Sequence, residues 1–308
     1  MRVLQVSAFV VALLPVPVFI IPTDIHFIDV VQSFALHAVV GYALMAFILF
    51  ARQKRQWAMP FFLASFSLLL YLLPYFTASP TQDYEFEGKA FRVAHFNVLD
   101  SNILYDQLAE QAQATDADLI SFREVDSTWM DELILRLRNQ YPHHHLAHQE
   151  AHGVAIFSKH PVQDLTTYYW GDVPNLTGNI LFSDTTVHFV ATHTLSPRGE
   201  DHYTKRNRHL RQMARYLESI DGLVLAIGDF NAVPWNPHIM QIRRQSSLFD
   251  SRQSGAPTYP TDWKIGSISI DYILHSDELQ CLDFHSVDTG GFDHRGVFEE
   301  YQFIIKEI

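Results

Sequence analysis

The chain has 308 residues, a formal net charge of −12 and 48% apolar residues, so its length allows about two structural units. The single cysteine, Cys281, excludes an internal disulfide and a metal site built on a cysteine pair. Residues 81–308 carry 18 basic against 32 acidic side chains, which argues against a long polyanionic substrate without excluding a local basic groove.

Three apolar blocks, residues 3–21, 34–50 and 58–76, contain no Asp, Glu, Lys or Arg. Each comes near the roughly 20 residues that cross a hydrocarbon core of about 30 Å. We therefore predict a transmembrane anchor over residues 1–80, with helices at about 3–22, 33–51 and 58–76. A signal peptide is the alternative for the first block because Arg2 precedes it, but no small-residue cleavage signature follows Ile21.

Charge in the short loops predicts the orientation of this anchor. The loop after the second block carries Arg52, Lys54 and Arg55, whereas the loop before it carries only Asp24 and Asp29. Because positively charged loops stay in the cytoplasm, three crossings place the rest of the chain on the outer side. The sequence thus predicts an integral protein of a bacterial inner membrane whose soluble domain is extracytoplasmic and which contacts the lipid bilayer through its N-terminal helices.

Residues 81–90 read as a polar linker, and a domain over 91–308 follows. Hydrophobic periodicity predicts helices at about 102–114, 128–139 and 203–219. Strand patterns occur at 91–98, 119–122, around His144, and at 154–157, 166–170, 179–182, 186–192, 223–229, 267–274, 279–286 and 297–304. This mixture predicts two packed sheets with helices outside them. Residues 199–208 and 250–266 are expected to be loops.

Polar side chains interrupt these strands at six places, namely Asn97, Arg123-Glu124, His193, Asp229 with Asn231, Asp271, and Asp293-His294. Taken singly, each has an ordinary explanation as a turn residue, a helix cap or an edge histidine. Residues two apart on a strand share a face, so Asp229 and Asn231 can reach one ligand. Six such interruptions together indicate a site at one end of the sheets, where open α/β sheets bind ligands.

The oxygen-rich part of this set suits a hard cation. Glu124 and Asp293 offer charged oxygens, and Asn97 or Asn231 offers a neutral one. Mg²⁺, with Mn²⁺ as a substitute, needs only one or two carboxylates and keeps several waters. Zinc fits less well, because the chain has no His-Glu-x-x-His helix, and the triplet 143–145 reads as surface or edge sequence.

Six segments together resemble the endonuclease/exonuclease/phosphatase superfamily, with its deoxyribonuclease-like fold. The resemblance covers about residues 91–304 and rests on His95-Phe96-Asn97-Val98, Asp118 to Val125, Ala191-Thr192-His193, Gly228-Asp229-Phe230-Asn231, Ile270 to Leu274, and Asp293-His294. It implies a four-layer α/β/β/α sandwich and metal-dependent hydrolysis of a phosphate ester.

The resemblance also implies a role for each motif residue. Glu124 is similar to the principal metal ligand, Asn97 to a residue that contacts metal-bound water or phosphate, and Asp293 to a supporting metal residue. Asp229 resembles the residue that orients or deprotonates water, and Asn231 one that holds phosphate. His294 resembles the catalytic histidine, Asp271 the carboxylate that fixes its tautomer, and His193 a second histidine on the leaving side.

Two positions depart from the abasic-site endonuclease branch. Leu99 stands where that branch has an aspartate, and Phe292 where a serine commonly precedes the last Asp-His pair. We therefore predict a membrane-anchored phosphodiester hydrolase, and a nuclease and a lipid or small-molecule phosphodiesterase both stay open. The alternative is a catalytically inactive, membrane-tethered binding module. No obligate protein partner is evident, and Arg198, Lys205, Arg206, Trp235, Tyr259 and Trp263 could shape specificity.

The predicted orientation can be tested with reporter fusions to the full chain. A reporter that is active only outside the cytoplasm should be active after Ile308 and inactive in the loop after Gln53, because an odd number of crossings separates the two positions. A cytoplasm-only reporter provides the reciprocal control. Activity of that reporter after Ile308 would contradict the orientation.

Overall fold

The computed structural model describes residues 10–76, 90–252, 255–263 and 265–304. The chain divides into two compact units, one of Met1–Thr77 with Val233–Pro237 and one of Ala78–Ala232 with His238–Ile308. Residues 3–9 of the first apolar block and residues 81–89 of the predicted linker lie outside the described residues.

The N-terminal unit is helical. Its helices are α1 (Val16–Ile20), α2 (His26–Gln32), α3 (Ala35–Ala51) and α4 (Arg55–Leu72), and a 3-10 turn at Leu73–Tyr75 follows. The apolar composition of α3 and α4 leaves no polar face, so the two helices pack along their small residues Ala46, Ala58 and Ala64.

One helix of the described chain, Arg55–Tyr75, is long and apolar enough to cross a membrane by itself. The pair α2 and α3 reaches that length only across a bend of 61°, and Val10–Ile20 is shorter. Buried helices and signal sequences also meet this criterion of length and composition, so three spanning helices stay a prediction.

The second unit contains two six-stranded mixed sheets. The first sheet has the strand order β11-β12-β1-β2-β4-β3, and the second has the order β5-β6-β7-β8-β10-β9. The strands are β1 (Phe91–Asn97), β2 (Leu119–Arg123), β3 (His143–Ala147), β4 (Val154–Ser158), β5 (Val162–Trp170), β6 (Val173–Phe182), β7 (Thr185–His193), β8 (Val224–Asp229), β9 (Phe249–Asp250), β10 (Asp271–His275), β11 (Leu279–Val287) and β12 (Gly296–Phe303).

Four helices cover the outer faces of these sheets. They are α5 (Tyr105–Ala114) and α6 (Ser127–Leu137) on the first sheet, and α7 (Glu200–Glu218) and α8 (Pro237–Gln245) on the second. Alternation along each strand sends one set of side chains to a helix layer and the other to the layer between the sheets, where Phe91, Val93 and Leu119 are fully buried. The predicted α/β/β/α sandwich is thereby confirmed.

Several predicted boundaries were wrong. The helix expected from residue 102 begins at Tyr105, because Asn102 forms a turn in which its Oδ1 accepts the N–H of Leu104 at 3.0 Å. The helix expected from residue 203 begins at Glu200, so residues 200–208, which were also expected to contribute a loop, form the first half of α7, whose first turn carries Glu200 and Asp201 at the positive end of the helix dipole.

Two further differences concern a helix that the hydrophobic pattern did not reveal and a strand that it made too long. Helix α8 was missed, although Pro237 at its first position is a common helix start and Ile239 and Ile242 are buried. The strand expected from residue 267 begins only at Asp271. The histidine triplet 143–145 lies on β3, an edge strand, as expected.

Gly228 marks the closest approach of two strands beneath the predicted site. It pairs with Thr192 across β7 and β8, its φ is +151°, and a Cβ there would lie 1.8 Å from the carbonyl oxygen of Thr192. Only glycine fits this position without separating the strands.

We therefore expect Gly228→Ala to lower the thermal midpoint of the full chain in detergent by about 4–8 °C, which corresponds to about 2 kcal/mol in a unit of this size. The matched control is Gly222→Ala, because Gly222 also has a positive φ, +89°, but nothing lies within 4 Å of its added Cβ. That control should cost only about 1 kcal/mol. Equal losses for the two variants would contradict the steric explanation.

Candidate active site

Strand pairing brings the predicted polar residues to one edge shared by both sheets. Asn97 and Arg123 are paired at the ends of the parallel strands β1 and β2. In the second sheet Asp229 is paired with His193 on one side and with Asp271 on the other. The carboxyl ends of β1, β2, β7 and β8 therefore present their side chains to one common space.

Glu124 lies at the turn that ends β2, where its φ of +60° departs from strand geometry. The side-chain amide of Asn97 donates to Glu124 Oε1 at 3.0 Å. Burial raises the pKa of Glu124; the bond from Asn97 opposes this, and the negative charges of Asp293 and Asp100 add to it. Three acidic groups thus crowd one space, which is the electrostatic condition that a bound cation relieves.

Asp229 is held by one oxygen and presents the other to the site. The backbone N–H of Asn231 donates to Asp229 Oδ1 at 2.8 Å, and the Asn231 side-chain amide donates to the carbonyl oxygen of Thr194 at 2.9 Å. Asp229 Oδ2 lies 3.9 Å from Nε2 of both His193 and His294. Burial and the charge of Asp271 raise the pKa of Asp229 well above its ordinary value, which favours proton acceptance.

Asp271 is a fully buried carboxylate that accepts two hydrogen bonds from imidazoles. His294 Nδ1 lies 2.9 Å from Asp271 Oδ2, and His95 Nε2 lies 3.0 Å from Asp271 Oδ1. Burial alone would raise the pKa of Asp271, but the charge and hydrogen bond of His294 and then the hydrogen bond of His95 lower it. Because an ionised carboxylate only accepts, both histidines donate to Asp271, through Nδ1 of His294 and Nε2 of His95.

The pKa of His294 is raised to about 10. Burial alone would lower it, but the charge and hydrogen bond of Asp271, followed by the charges of Asp229 and Asp293, outweigh burial. His294 is therefore an imidazolium at neutral pH, and its Nε2 is directed to Asp229. The ring of Tyr259 packs on it, with centroids 4.6 Å apart.

The pKa of His193 is shifted in the opposite direction to that of His294. Its Nε2 lies 3.9 Å from Glu124 Oε1 as well as from Asp229 Oδ2. Burial and the neighbouring positive groups of His152, Arg123 and His294 lower the pKa of His193 well below its ordinary value. The site therefore combines a charged and a neutral imidazole on either side of one aspartate oxygen.

The residues present fit a divalent cation near Glu124. Asp293 Oδ1 is buried without a hydrogen-bond partner among the described residues, and Asp293 acts electrostatically on Glu124. Asp229, Asp271 and His294 also place ligand atoms within 4.8 Å of one another. Both oxygens of Asp271 already accept imidazole N–H groups, so the set around Glu124 is the better cation site.

The structure brings the predicted residues to this edge of the sheets, although Asn231 lies in the turn after β8, with a φ of +47°, and not on the strand face of Asp229. The sequence analysis assigned no role to two buried residues, Arg123 and His95. The guanidinium of Arg123 donates to the carbonyl oxygens of Phe122 at 2.8 Å, Ile227 at 2.6 Å and Thr192. Strand periodicity could have indicated His95, because it shares the inward face of Val93. Arg123 was marked only as a polar interruption of its strand, and no signal indicated its burial, since arginine is rarely fully buried.

The residues proposed from the sequence to shape specificity have different environments. Arg206 is buried on α7 and donates to the carbonyl oxygen of Asn231 at 2.9 Å, so it supports the site from below. Lys205 pairs with Asp201 at 2.9 Å. Trp235 belongs to the segment that groups with the N-terminal unit.

Residues 91–296 match the model of the Endonuclease/Exonuclease/phosphatase family. Similar solved structures include an endonuclease/exonuclease/phosphatase from Bacteroides vulgatus (17% identity, TM-score 0.59, 70% of this chain and 100% of that chain). They also include D. rerio TDP2 complexed with single strand DNA product (11%, 0.59, 70% and 99%) and sphingomyelinase C from Streptomyces griseocarneus (17%, 0.51, 69% and 99%). At these identities the likeness shows a shared fold. No curated protein sequence matches the chain.

The Asp271–His294 pair generates a prediction about pH. Because the folded pKa of His294, about 10, lies above its ordinary 6.5, the pair stabilises the fold fully below pH 6.5 and loses this contribution as the pH rises through about 10.

Asp271→Asn removes the charge that holds the imidazolium. Hydrolysis should fall by about 10²–10⁴-fold at pH 7, with partial recovery toward lower pH.

The measurement is the pH–rate profile of the full chain with a soluble phosphodiester. The matched control is Asp283→Asn, which removes a carboxylate 2.9 Å from the exposed imidazole of His285. That variant should keep the wild-type profile. An unchanged profile in Asp271→Asn would contradict the role of the buried pair.

Proposed function

The chain belongs to the Endonuclease/Exonuclease/phosphatase family and is an enzyme that hydrolyses phosphate ester bonds; we propose that the bond is a phosphodiester and that Mg²⁺, or Mn²⁺ in its place, is required. The observation that carries this proposal is the position of Asp229 Oδ2, 3.9 Å from Nε2 of both His193 and His294. A proton acceptor between two imidazoles suits an attacking water and a phosphate that gains negative charge.

Glu124 and Asp293 would hold the cation, and Asn97 would keep Glu124 in place through its 3.0 Å hydrogen bond. A bound divalent cation polarises the phosphoryl group and neutralises its oxygens. The carboxylate–amide pair supports this assignment, because ligating carboxylates are commonly oriented by a further hydrogen bond.

Each of the remaining side chains has a separate role in the proposed hydrolysis. Asp229, whose other oxygen is fixed by the Asn231 N–H, accepts a proton from water and aims the water oxygen at phosphorus. His294 keeps its positive charge and stabilises the charge that develops on the phosphoryl oxygens. His193, neutral in its buried position, supplies a hydrogen bond to the leaving oxygen.

We further propose that the enzyme is anchored in the membrane with its site outside the cytoplasm. Support comes from the helix Arg55–Tyr75 and from the bases at residues 52–55. Single strand DNA and sphingomyelin, named with the similar structures, illustrate the substrate classes that remain open: nucleic acid, a lipid or a small molecule. An inactive binding module is the less favoured reading, because both carboxylates and both histidines at the centre of the site are retained.

The proposal predicts metal-dependent turnover by the purified full chain. Bis-p-nitrophenyl phosphate should be hydrolysed with Mg²⁺ or Mn²⁺, and the rate should be lost in a chelator and restored by added metal. Glu124→Gln should lower the rate by about 10²-fold or more and raise the metal concentration needed for half-activation, because it removes the principal charged ligand.

The matched control is Glu132→Gln, which removes a partly exposed carboxylate that pairs with Arg136 on α6. It should leave both the rate and the metal requirement unchanged. Absence of turnover with every divalent metal, on the diester, on plasmid DNA and on phospholipid vesicles, would refute the proposed function.

A further inference from the structure

Four large apolar side chains are exposed on loops in the catalytic unit. Ile103 is 74% exposed, Leu104 39%, Trp263 54% and Ile265 87%. Ile103 and Leu104 lie between β1 and α5, and Trp263 and Ile265 lie before β10. These four side chains are called the apolar rim below.

Both loops of the apolar rim are attached to the chain segment that carries His294. The Asn102 side chain donates to the carbonyl oxygen of Gly291 at 3.2 Å, and the Leu104 side chain lies against Gly291. From the other loop, the Thr261 N–H donates to the carbonyl oxygen of Asp293 at 2.9 Å, and the Thr261 hydroxyl donates to that of Phe292. The apolar rim therefore borders the site on the side of His294.

Local structure holds the most exposed of these residues outward. Ser267 Oγ donates to the carbonyl oxygens of Pro260 at 2.7 Å and Trp263 at 3.0 Å, which closes the loop into a compact turn. Gly266, with a φ of +115°, packs against the Trp263 ring. The stabilised turn exposes Ile265 at its tip. This exposed apolar surface is unfavourable in water, and the fold does not require it.

The charge around the apolar rim favours one kind of surface. Both signs of charge flank Trp263 in the sequence, since the exposed Asp262 precedes it and Lys264 follows it, while Asp100 and Asp293 lie toward the site and act on Glu124. The charges beside Trp263 are of opposite sign, whereas the acids toward the site repel the phosphates of a nucleic acid and of an anionic lipid surface. A lipid surface with zwitterionic head groups has no such penalty, and tryptophan and isoleucine are side chains that enter the boundary between head groups and acyl chains.

We propose that the apolar rim docks on a zwitterionic phospholipid surface and that the substrate is a phospholipid presented from it. This inference rests on the proposed function and names its substrate class. The covalent step is unchanged: the water oxygen bonds to phosphorus, one ester P–O bond breaks, and the leaving oxygen takes a proton. A protein partner on the same surface would cover the site, whereas a lipid surface supplies the phosphodiester to it.

The test uses the full chain in mixed micelles of a nonionic detergent with phosphatidylcholine and phosphatidylethanolamine. Ile265→Asp and Ile103→Asp should each lower phospholipid hydrolysis by about tenfold or more, by raising the lipid mole fraction needed for half-maximal rate. Both variants should hydrolyse bis-p-nitrophenyl phosphate at the wild-type rate, because neither residue belongs to the catalytic set. Ile265→Leu should keep both activities.

Leu135→Asp is the matched control, because Leu135 is 64% exposed on α6 and lies outside both loops of the apolar rim. It should behave as wild type on every substrate. Phosphatidylglycerol micelles and single-stranded DNA complete the panel, and both should be poorer substrates than the zwitterionic lipids.

The outcomes separate this inference from the proposed function. Turnover of the soluble diester with unchanged phospholipid hydrolysis in both Asp variants, or with no phospholipid hydrolysis by wild type, would overturn the lipid surface and leave the hydrolase standing. Loss of DNA cleavage in the Asp variants, with lipid hydrolysis intact, would assign the apolar rim to nucleic acid instead. Failure of wild type to hydrolyse the soluble diester would overturn the proposed function itself.

Discussion

A single buried guanidinium connects the two sheets directly beneath the site. Arg123 extends from β2 of the first sheet and donates to the carbonyl oxygens of Thr192 and Ile227 in the second. Its partners lie one residue before His193 and two residues before Asp229, so the hydrogen bonds that join the sheets also hold the backbone next to these two proposed catalytic residues. Burial lowers the pKa of Arg123 to about 9, against the charges of Asp229 and Asp271. A charge that remains present at neutral pH in this dry layer is costly, and its favourable neighbours are the acids of the site.

Those acids are themselves differentiated by their surroundings. Asp229 and Asp271 are directly opposite each other on β8 and β10, yet the pKa of the first is raised and that of the second is lowered. Asp271 has two imidazole donors, whereas Asp229 has one backbone donor and a free oxygen. Adjacent carboxylates in one buried space divide in this way into a permanent anion and a proton acceptor. This difference in pKa between Asp229 and Asp271 depends on both sheets, because His95 comes from the first sheet and Asp271 from the second.

The sequence was sufficient to predict which residues lie at the site, but not which contacts hold them there. Asn97, Glu124 and Asp229 could be predicted because each ends an apolar strand, and strand ends in parallel sheets converge. Arg123 could not be predicted in this way, because its burial depends on carbonyl groups about 70 and 100 residues further along the chain, which only the packed sheets bring within reach. The turn geometry at Glu124, with a φ of +60°, was equally hidden, since no glycine marks it.

Specificity must come from a different part of the molecule than catalysis. The strand ends and Arg123 form a rigid framework, whereas surface loops such as those before α5 and β10 can change in length and composition without altering such a framework. In this chain those loops are bonded to the segment Gly291–Asp293, the residues immediately before His294. A surface that engages the loops therefore acts close to the charged imidazole, and three hydrogen bonds tie the loops to the residues immediately before His294. The proposed recognition by the apolar rim and the proposed hydrolysis would thus be coupled through a short stretch of backbone rather than through a change of shape.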